Sequence, residues 1–311
     1  NASRDSVIPT VVPATINVQR YPPSLSLELE ADDENSPGLP DGAFFVEDAF
    51  EVQVFVNDIA NLDAFDLHVN FNPSILELEV DLDRAIDTEA AGGNSILFSG
   101  DSVENENRGF FIASYDEVDG NSDGEPDTAT LKISFSAVSQ EPEDADDGTF
   151  LFLELPFRAI GGGQSVIRLS NVKFFDTNRI LTSVPDVDRS VTVIPAPVAQ
   201  DQSITTTENT VALPRSQPVT LSASFANVQS FVDGLDSPDS PTLTYEIVIV
   251  PQNGTIEGFD AVTGQLSYTP NVSYIGTDEF TFKAIYGPLE SDLARVEFSI
   301  TPVPKIDFSQ S

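Results

Sequence analysis

Asp119-Gly-Asn-Ser-Asp-Gly-Glu-Pro-Asp127 is the stretch whose residue types and spacing point most directly to chemistry. Side-chain oxygens at Asp119, Asn121 and Asp123 fall on the first, third and fifth positions of a twelve-residue calcium loop, and Gly124 stands where such loops turn sharply. Glu125 would offer its backbone carbonyl, and Asp127 a direct or water-bridged oxygen. The twelfth position is Thr130, where such loops carry a bidentate glutamate. Either Asp119, Asn121, Asp123, Glu125 and Asp127 hold a Ca²⁺ ion, or the stretch is a polar hairpin loop. Asp201, Glu208, Asp236 and Asp239 form a weaker acidic set of the same kind.

Little else has the spacing of a reactive centre. His68 is the single histidine, and there is no cysteine, which excludes thiolate and multi-histidine zinc sites. A Ser-His-Asp triad would have to use His68, whose parity faces it away from Phe65, Leu67, Val69 and Phe71, with no nucleophile-elbow motif nearby. No spacing singles out a pair of carboxylates for glycoside hydrolysis, and no glycine-rich phosphate loop occurs. The expectation is a protein that is not an enzyme. Tryptophan is absent and the six tyrosines are scattered, so no aromatic platform for sugar stands out. Asn1, Asn253 and Asn271 each open an Asn-X-Ser/Thr sequon, candidate glycosylation sites in a host that uses them.

The elements that must carry these residues alternate with period two. Phe50, Val52, Val54 and Val56 interleave with Glu51, Gln53, Phe55 and Asn57, and Phe65, Leu67, Val69 and Phe71 with Asp66, His68 and Asn70. Each run predicts a strand with one buried face. Asn72-Pro73-Ser74 stops the second strand. Helix-period runs with caps are nearly absent, and 22 prolines and 18 glycines punctuate the chain, so the class is all-β. A chain of 311 residues suits about two domains and can bury roughly 75% of its unfolded surface.

The formal net charge is −37, from 51 acidic and 14 basic residues. Such a surface disfavours nucleic acid and anionic lipid as partners and keeps copies apart unless salt or Ca²⁺ screens them. No apolar run has the length of a membrane span. The first residue is Asn1 rather than Met, which suggests a removed leader and an extracellular or cell-surface location.

Residues 61–77, with Gly148–Phe157, Gly161–Leu169 and Phe174-Phe-Asp176, resemble the cohesin and carbohydrate-binding-module sandwich family. The resemblance implies a jelly-roll-like sandwich over residues 23–195, found outside the cell, and, as one alternative, a module that recognises a dockerin-like protein or a polysaccharide. Pro197–Asn209, Leu243–Val248, Asn253-Gly-Thr255, Gly264–Pro270 and Tyr274–Phe282 are similar, in that order, to the bacterial immunoglobulin-like, cadherin-like repeats of large surface adhesins. They imply a second sandwich over residues 196–311, ending in a short tail. Ile194-Pro-Ala-Pro-Val198 between them reads as a semi-rigid proline linker.

Residues 1–22 form an extended arm with no core of its own. Ile8, Thr10, Val12, Ala14, Ile16 and Val18 share one face of a strand, and Pro9 and Pro13 share a parity, so both missing N–H donors fall on one edge. The other edge can still pair. The arm is a candidate donor strand for a neighbouring copy; the alternatives are a strand folded back on its own domain or a flexible leader. The functional expectation is a structural, adhesive surface protein that assembles into a homopolymeric filament or matrix.

Overall fold

The computed structural model describes residues 23–31, 38–59, 62–79, 109–122, 124–137, 148–176, 181–235 and 237–304. The arm up to residue 22, the apolar run Ile96–Phe98 and the acidic run 141–147 lie outside them. The all-β expectation holds: the described residues build two β-sandwiches.

The first comprises β1 (Ser24–Ala31), β2 (Ala43–Phe45), β3 (Ala49–Ile59), β4 (Leu62–Phe71), β5 (Leu76–Leu78), β6 (Gly109–Val118), β7 (Thr128–Ala137), β8 (Gly148–Ala159), β9 (Gly163–Asp176), β10 (Leu181–Ser183) and β11 (Val187–Ile194). One sheet runs β1-β3-β8-β5 and the other β2-β11-β9-β4-β7-β6, with β10 added beside β9. Alternation decides which face is inside. Val52, Val54 and Val56 of β3 meet Leu67 and Val69 of β4 in one core, all fully buried. Phe71 and Phe157 seal it across the sheets, edge to face with centroids 5.0 Å apart. At the Asn72 corner the backbone N–H groups of Ser74 and Leu76 donate to the Asn72 side chain and carbonyl, at 2.9 and 3.0 Å.

The second sandwich comprises β12 (Val198–Ala199), β13 (Gln202–Thr207), β14 (Gln217–Thr220), β15 (Ala223–Ser224), a four-residue helix α1 (Gln229–Val232), β16 (Thr244–Ile249), β17 (Gly254–Glu257), β18 (Gln265–Pro270), β19 (Gly276–Tyr286), β20 (Leu289–Glu290) and β21 (Ala294–Thr301). A β13-β21-β19-β16 sheet, with β20 added beside β19, faces β14-β18-β17, and β12 pairs with β15. Tyr268 of β18 stacks on Phe298 of β21 at 3.8 Å. Its hydroxyl donates to Asp278, a buried carboxylate that also accepts the N–H groups of Gln252, Asn253 and Glu279 at 2.9–3.0 Å. Burial and that hydrogen bond push the Tyr268 phenol pKa far upward.

A third apolar cluster joins the two sandwiches. Phe45 and Ile194, both fully buried, pack with Phe225, Val228 and Tyr286. The approach is close enough to require glycine. A Cβ at Gly287 (φ +57°) would stand 2.7 Å from the Phe45 ring, and one at Gly38 (φ +78°) 1.8 Å from the Asp239 carbonyl oxygen. The proline linker is packed too, since a Cβ on Gly162 would stand 2.5 Å from the Pro195 ring.

Strand directions fix where the chain enters the first sandwich and leaves the second. Ala31 lies opposite Phe50 near the joint and Ser24 opposite Asn57 at the other end of β3, so residue 23 enters at the pole away from the joint. Tyr286 is at the joint, and Gly276, at the other end of β19, pairs with Ile300. The chain therefore leaves the second sandwich at its far pole. At about 3.4 Å per residue, β19 separates that pole from the joint by about 34 Å.

Candidate functional site

The acidic loop closes the β6–β7 hairpin. The Asp127 N–H donates to the Val118 carbonyl at 2.9 Å, and the Ser74 hydroxyl donates to the Pro126 carbonyl at 3.2 Å, tying the loop to the Asn72 corner. The Asp119 carboxylate accepts the N–H groups of Ser122 (2.6 Å) and Gly124 (2.9 Å). The Asp127 carboxylate accepts the N–H groups of Gly120 and Asn121, at 2.9 and 3.1 Å, and the Asn121 side-chain amide at 3.1 Å. Ser122 (φ +64°) and Gly124 (φ +98°) make the turn.

Asp119, Asn121, Glu125 and Asp127 thus share one exposed loop, while Asp123 lies outside the described residues. Each Asp119 oxygen accepts one of these N–H groups. Among the described residues no three acidic or histidine side chains converge as a metal cluster. The weaker set is dispersed. The Asp201 carboxylate accepts the Arg295 N–H near the start of β21, and that of Glu208 accepts the Val303 N–H beyond its end. Asp239 lies beside Gly38 at the joint, and Asp236 is outside the described residues.

His68 is on the outer face of β4, as its parity requires, with Nε2 3.3 Å from the Asn171 amide nitrogen. Burial, then the charges of Lys132 and Lys173, lower its pKa. A cleft of about 360 Å³ opens between β5 and β6, lined by Pro73, Leu76, Leu78, Tyr115 and Ile160 with Glu77 and Glu117. Burial first, then the hydrogen bond its hydroxyl donates to Glu117, raises the Tyr115 pKa. Tyr245, Tyr268 and Tyr286 are buried, so they offer no sugar-stacking surface. The sequon residues Asn253 and Asn271 are neighbours, the Asn271 N–H donating to the Asn253 carbonyl at 2.7 Å. Asn271 is exposed and Asn253 half-buried; Asn1 is outside the described residues.

The exposed sheet edges differ in chemistry. β1 presents Glu28 and Glu30, and β6 presents Asp116 and Glu117. β14 contains Pro218, and β17 is four residues long. β16 pairs only with β19 among the described strands, and its outer end is apolar: Val248, Ile249 and the following Val250 are 43, 55 and 67% exposed. Only the family resemblance marks Leu243–Val248 in the sequence; that β16 ends its sheet follows from the topology, and at its start the Tyr245 N–H donates outward to the Ala261 carbonyl at 2.8 Å.

The described residues thus present two sandwiches with strand edges and one exposed acidic hairpin loop. Residues 195–296 match the family model of the bacterial Ig domain. Among solved structures the chain is similar to a non-cellulosomal cohesin from Archaeoglobus fulgidus, with 12% identity and a TM-score of 0.34 over 55% of this chain and 91% of that one. It is also similar to the cohesin module of a family 33 glycoside hydrolase from Clostridium perfringens (10%, TM-score 0.36, 56% and 97%). A third is the cohesin–dockerin complex Coh-OlpA-Doc918 from Clostridium thermocellum (14%, TM-score 0.33, 55% and 99%). No curated protein matches the chain. Bacterial Ig domains are typically non-catalytic and typical of extracellular or surface proteins. Among the described residues no helix is long and apolar enough to cross a membrane.

Proposed function

We propose that this protein is an extracellular structural subunit that polymerises head to tail into a surface filament or matrix, with its N-terminal arm donated to the next copy. The observation that carries this is the direction in which the chain enters the first sandwich at residue 23 and leaves the second after Thr301. The arm joins the first sandwich at one pole and the chain leaves the second at the opposite pole, with a packed joint between. Identical units in head-to-tail contact that does not close form an open fibre. The arm's face Ile8, Thr10, Val12, Ala14, Ile16 and Val18, with both prolines on one edge, suits it to strand addition.

Deleting residues 1–20 is expected to leave both sandwiches folded and to abolish polymers seen by negative-stain microscopy, while Val12→Asp and Ile16→Asp weaken them. A truncated protein that still forms normal filaments overturns the proposal. The rival function, recognition of a dockerin-like protein or a polysaccharide, would instead give a soluble monomer positive in a pull-down or on a glycan array. Buried tyrosines count against the polysaccharide form of it.

A further inference from the structure

The geometry points to the β16 edge of the second sandwich as the acceptor for the N-terminal arm of a neighbouring copy, an assignment that rests on the strand-donation proposal. Sheet edges invite pairing, and proteins guard them with charge, proline, bulges or brevity. Here β1 and β6 carry exposed acids, β14 a proline, and β17 is short; β13, the other edge of the β16 sheet, is uncharged but polar apart from Ile204. β16 carries Glu246, which pairs with Lys283 at 3.2 Å, and beyond it only apolar residues to Val250. Val248, Ile249 and Val250 stand exposed in succession, at the end of the strand that runs away from the joint. Ile249 lies opposite Thr281, midway along β19, and exposed Ile275 follows towards the far pole, next to Gly276.

Charge favours the same match. In a chain of net charge −37, copies repel unless they meet through neutral surfaces. Ser6–Gln19 contains no charged residue, and neither does Ile247–Ile256. The Tyr245 N–H already donates to the Ala261 carbonyl at 2.8 Å, so the arm's pairing-competent edge would add backbone hydrogen bonds only beyond it, along Ile247–Val250, with Ile8, Val12 and Ile16 covering the exposed valines. A bulge between Ile247 and Ile249 interrupts the ladder there, so the pairing runs to one side of it. Residue 23 enters at the pole of the first sandwich away from the joint, while β16 belongs to the second sandwich, so an arm donated from one copy to the next makes one contact that repeats along a fibre.

The chain has no cysteine, so an engineered pair reports the contact without background. Full-length protein carrying Val12→Cys with Val250→Cys, concentrated under mild oxidation, is expected to give a reducible ladder of dimers and higher species on a non-reducing gel. Each single variant should stop at dimers. Val12→Cys with Ile160→Cys, which tests the cleft between β5 and β6 in the first sandwich, should give no ladder. If the Ile160 pair ladders and the Val250 pair does not, the acceptor assignment is wrong while strand donation stands. Monomers that stay unlinked, or close on themselves, in both pairs overturn the assignment. If arm-deleted protein also polymerises, strand donation falls with it. Val248→Asp with Val250→Asp, at exposed positions, should leave the melting temperature unchanged and abolish polymers; polymers that persist also overturn it.

Discussion

The ring of Phe45 meets that of Tyr286 edge-on, with centroids 6.2 Å apart, and so ties the second strand of the first sandwich to the last residue of β19. Tyr286 meets Phe225 in the same manner at 4.9 Å. The linker Pro195–Pro197 is thus part of a packed joint. Replacing a buried phenylalanine by alanine costs about 3–5 kcal/mol, here shared between the two modules. Phe45→Ala is expected to split unfolding into two transitions by calorimetry, where the unaltered chain shows one. A fragment of residues 197–303 should fold with its own core of Tyr268, Phe280 and Phe298 but bind a hydrophobic dye through uncovered Phe225 and Tyr286. A fragment with a disordered spectrum would put the module boundary elsewhere.

Asp278 gives a second test, inside the second core. Four donors converge on its carboxylate, one of them the buried hydroxyl of Tyr268. Alanine there leaves these groups without their acceptor, and each buried orphan costs about 1–3 kcal/mol. Asp278→Ala should lower stability by at least about 3 kcal/mol in denaturant titration. Tyr268→Phe, which removes one donor, should cost less. Equal losses would mean that the loop amides find other partners. Gly254→Ala should also destabilise, because its Cβ would stand 2.3 Å from the Tyr268 ring.

His68 is the single histidine, so its titration can be isolated. Its pKa in the fold is below the ordinary 6.5, through burial and then Lys132 and Lys173, against the opposing pull of Asp66. The unfolded chain therefore binds this proton more readily than the folded one. The stabilisation is fully present above the ordinary value and falls as pH drops through the range between that value and the lowered one. His68→Gln should flatten this part of the stability–pH curve relative to the unaltered protein. Superimposable slopes would show that His68 has the same proton affinity in both states.

Alternation made the strands legible. Phe65, Leu67 and Val69 turned inward and His68 outward as their parity demands, because a pleated strand with one wet face leaves a period-two record. The joint left none. Phe45 lies in a three-residue strand and Ile194 before a proline, too short for periodicity, and their partners are far off in sequence. Asp278 is one acid among 51, and only its burial distinguishes it. The Asp119–Asp127 spacing was visible, but not that both carboxylates already accept backbone N–H groups, since that depends on the fold of the loop.

Those N–H acceptors sharpen the test of the loop. If Asp119, Asn121, Asp123, Glu125 and Asp127 hold Ca²⁺, the folded loop gathers ligands that the unfolded chain scatters, and the ion stabilises by linkage. Extracellular calcium modules bind at about 10⁻⁴–10⁻³ M, so 10 mM Ca²⁺, roughly 10–100 times that, should add about 1.4–2.7 kcal/mol. That is a rise in melting temperature over chelator-treated protein. Asp119→Ala with Asp123→Ala removes two ligands and also the acceptor for the Ser122 and Gly124 N–H groups. The double variant should therefore melt lower than the unaltered protein even in chelator, and show no further response to Ca²⁺. Mg²⁺ at the same concentration controls for screening of the −37 charge, which any divalent ion provides. An unaltered protein that melts identically in Ca²⁺, Mg²⁺ and chelator would mean that the aspartates serve only to brace the hairpin.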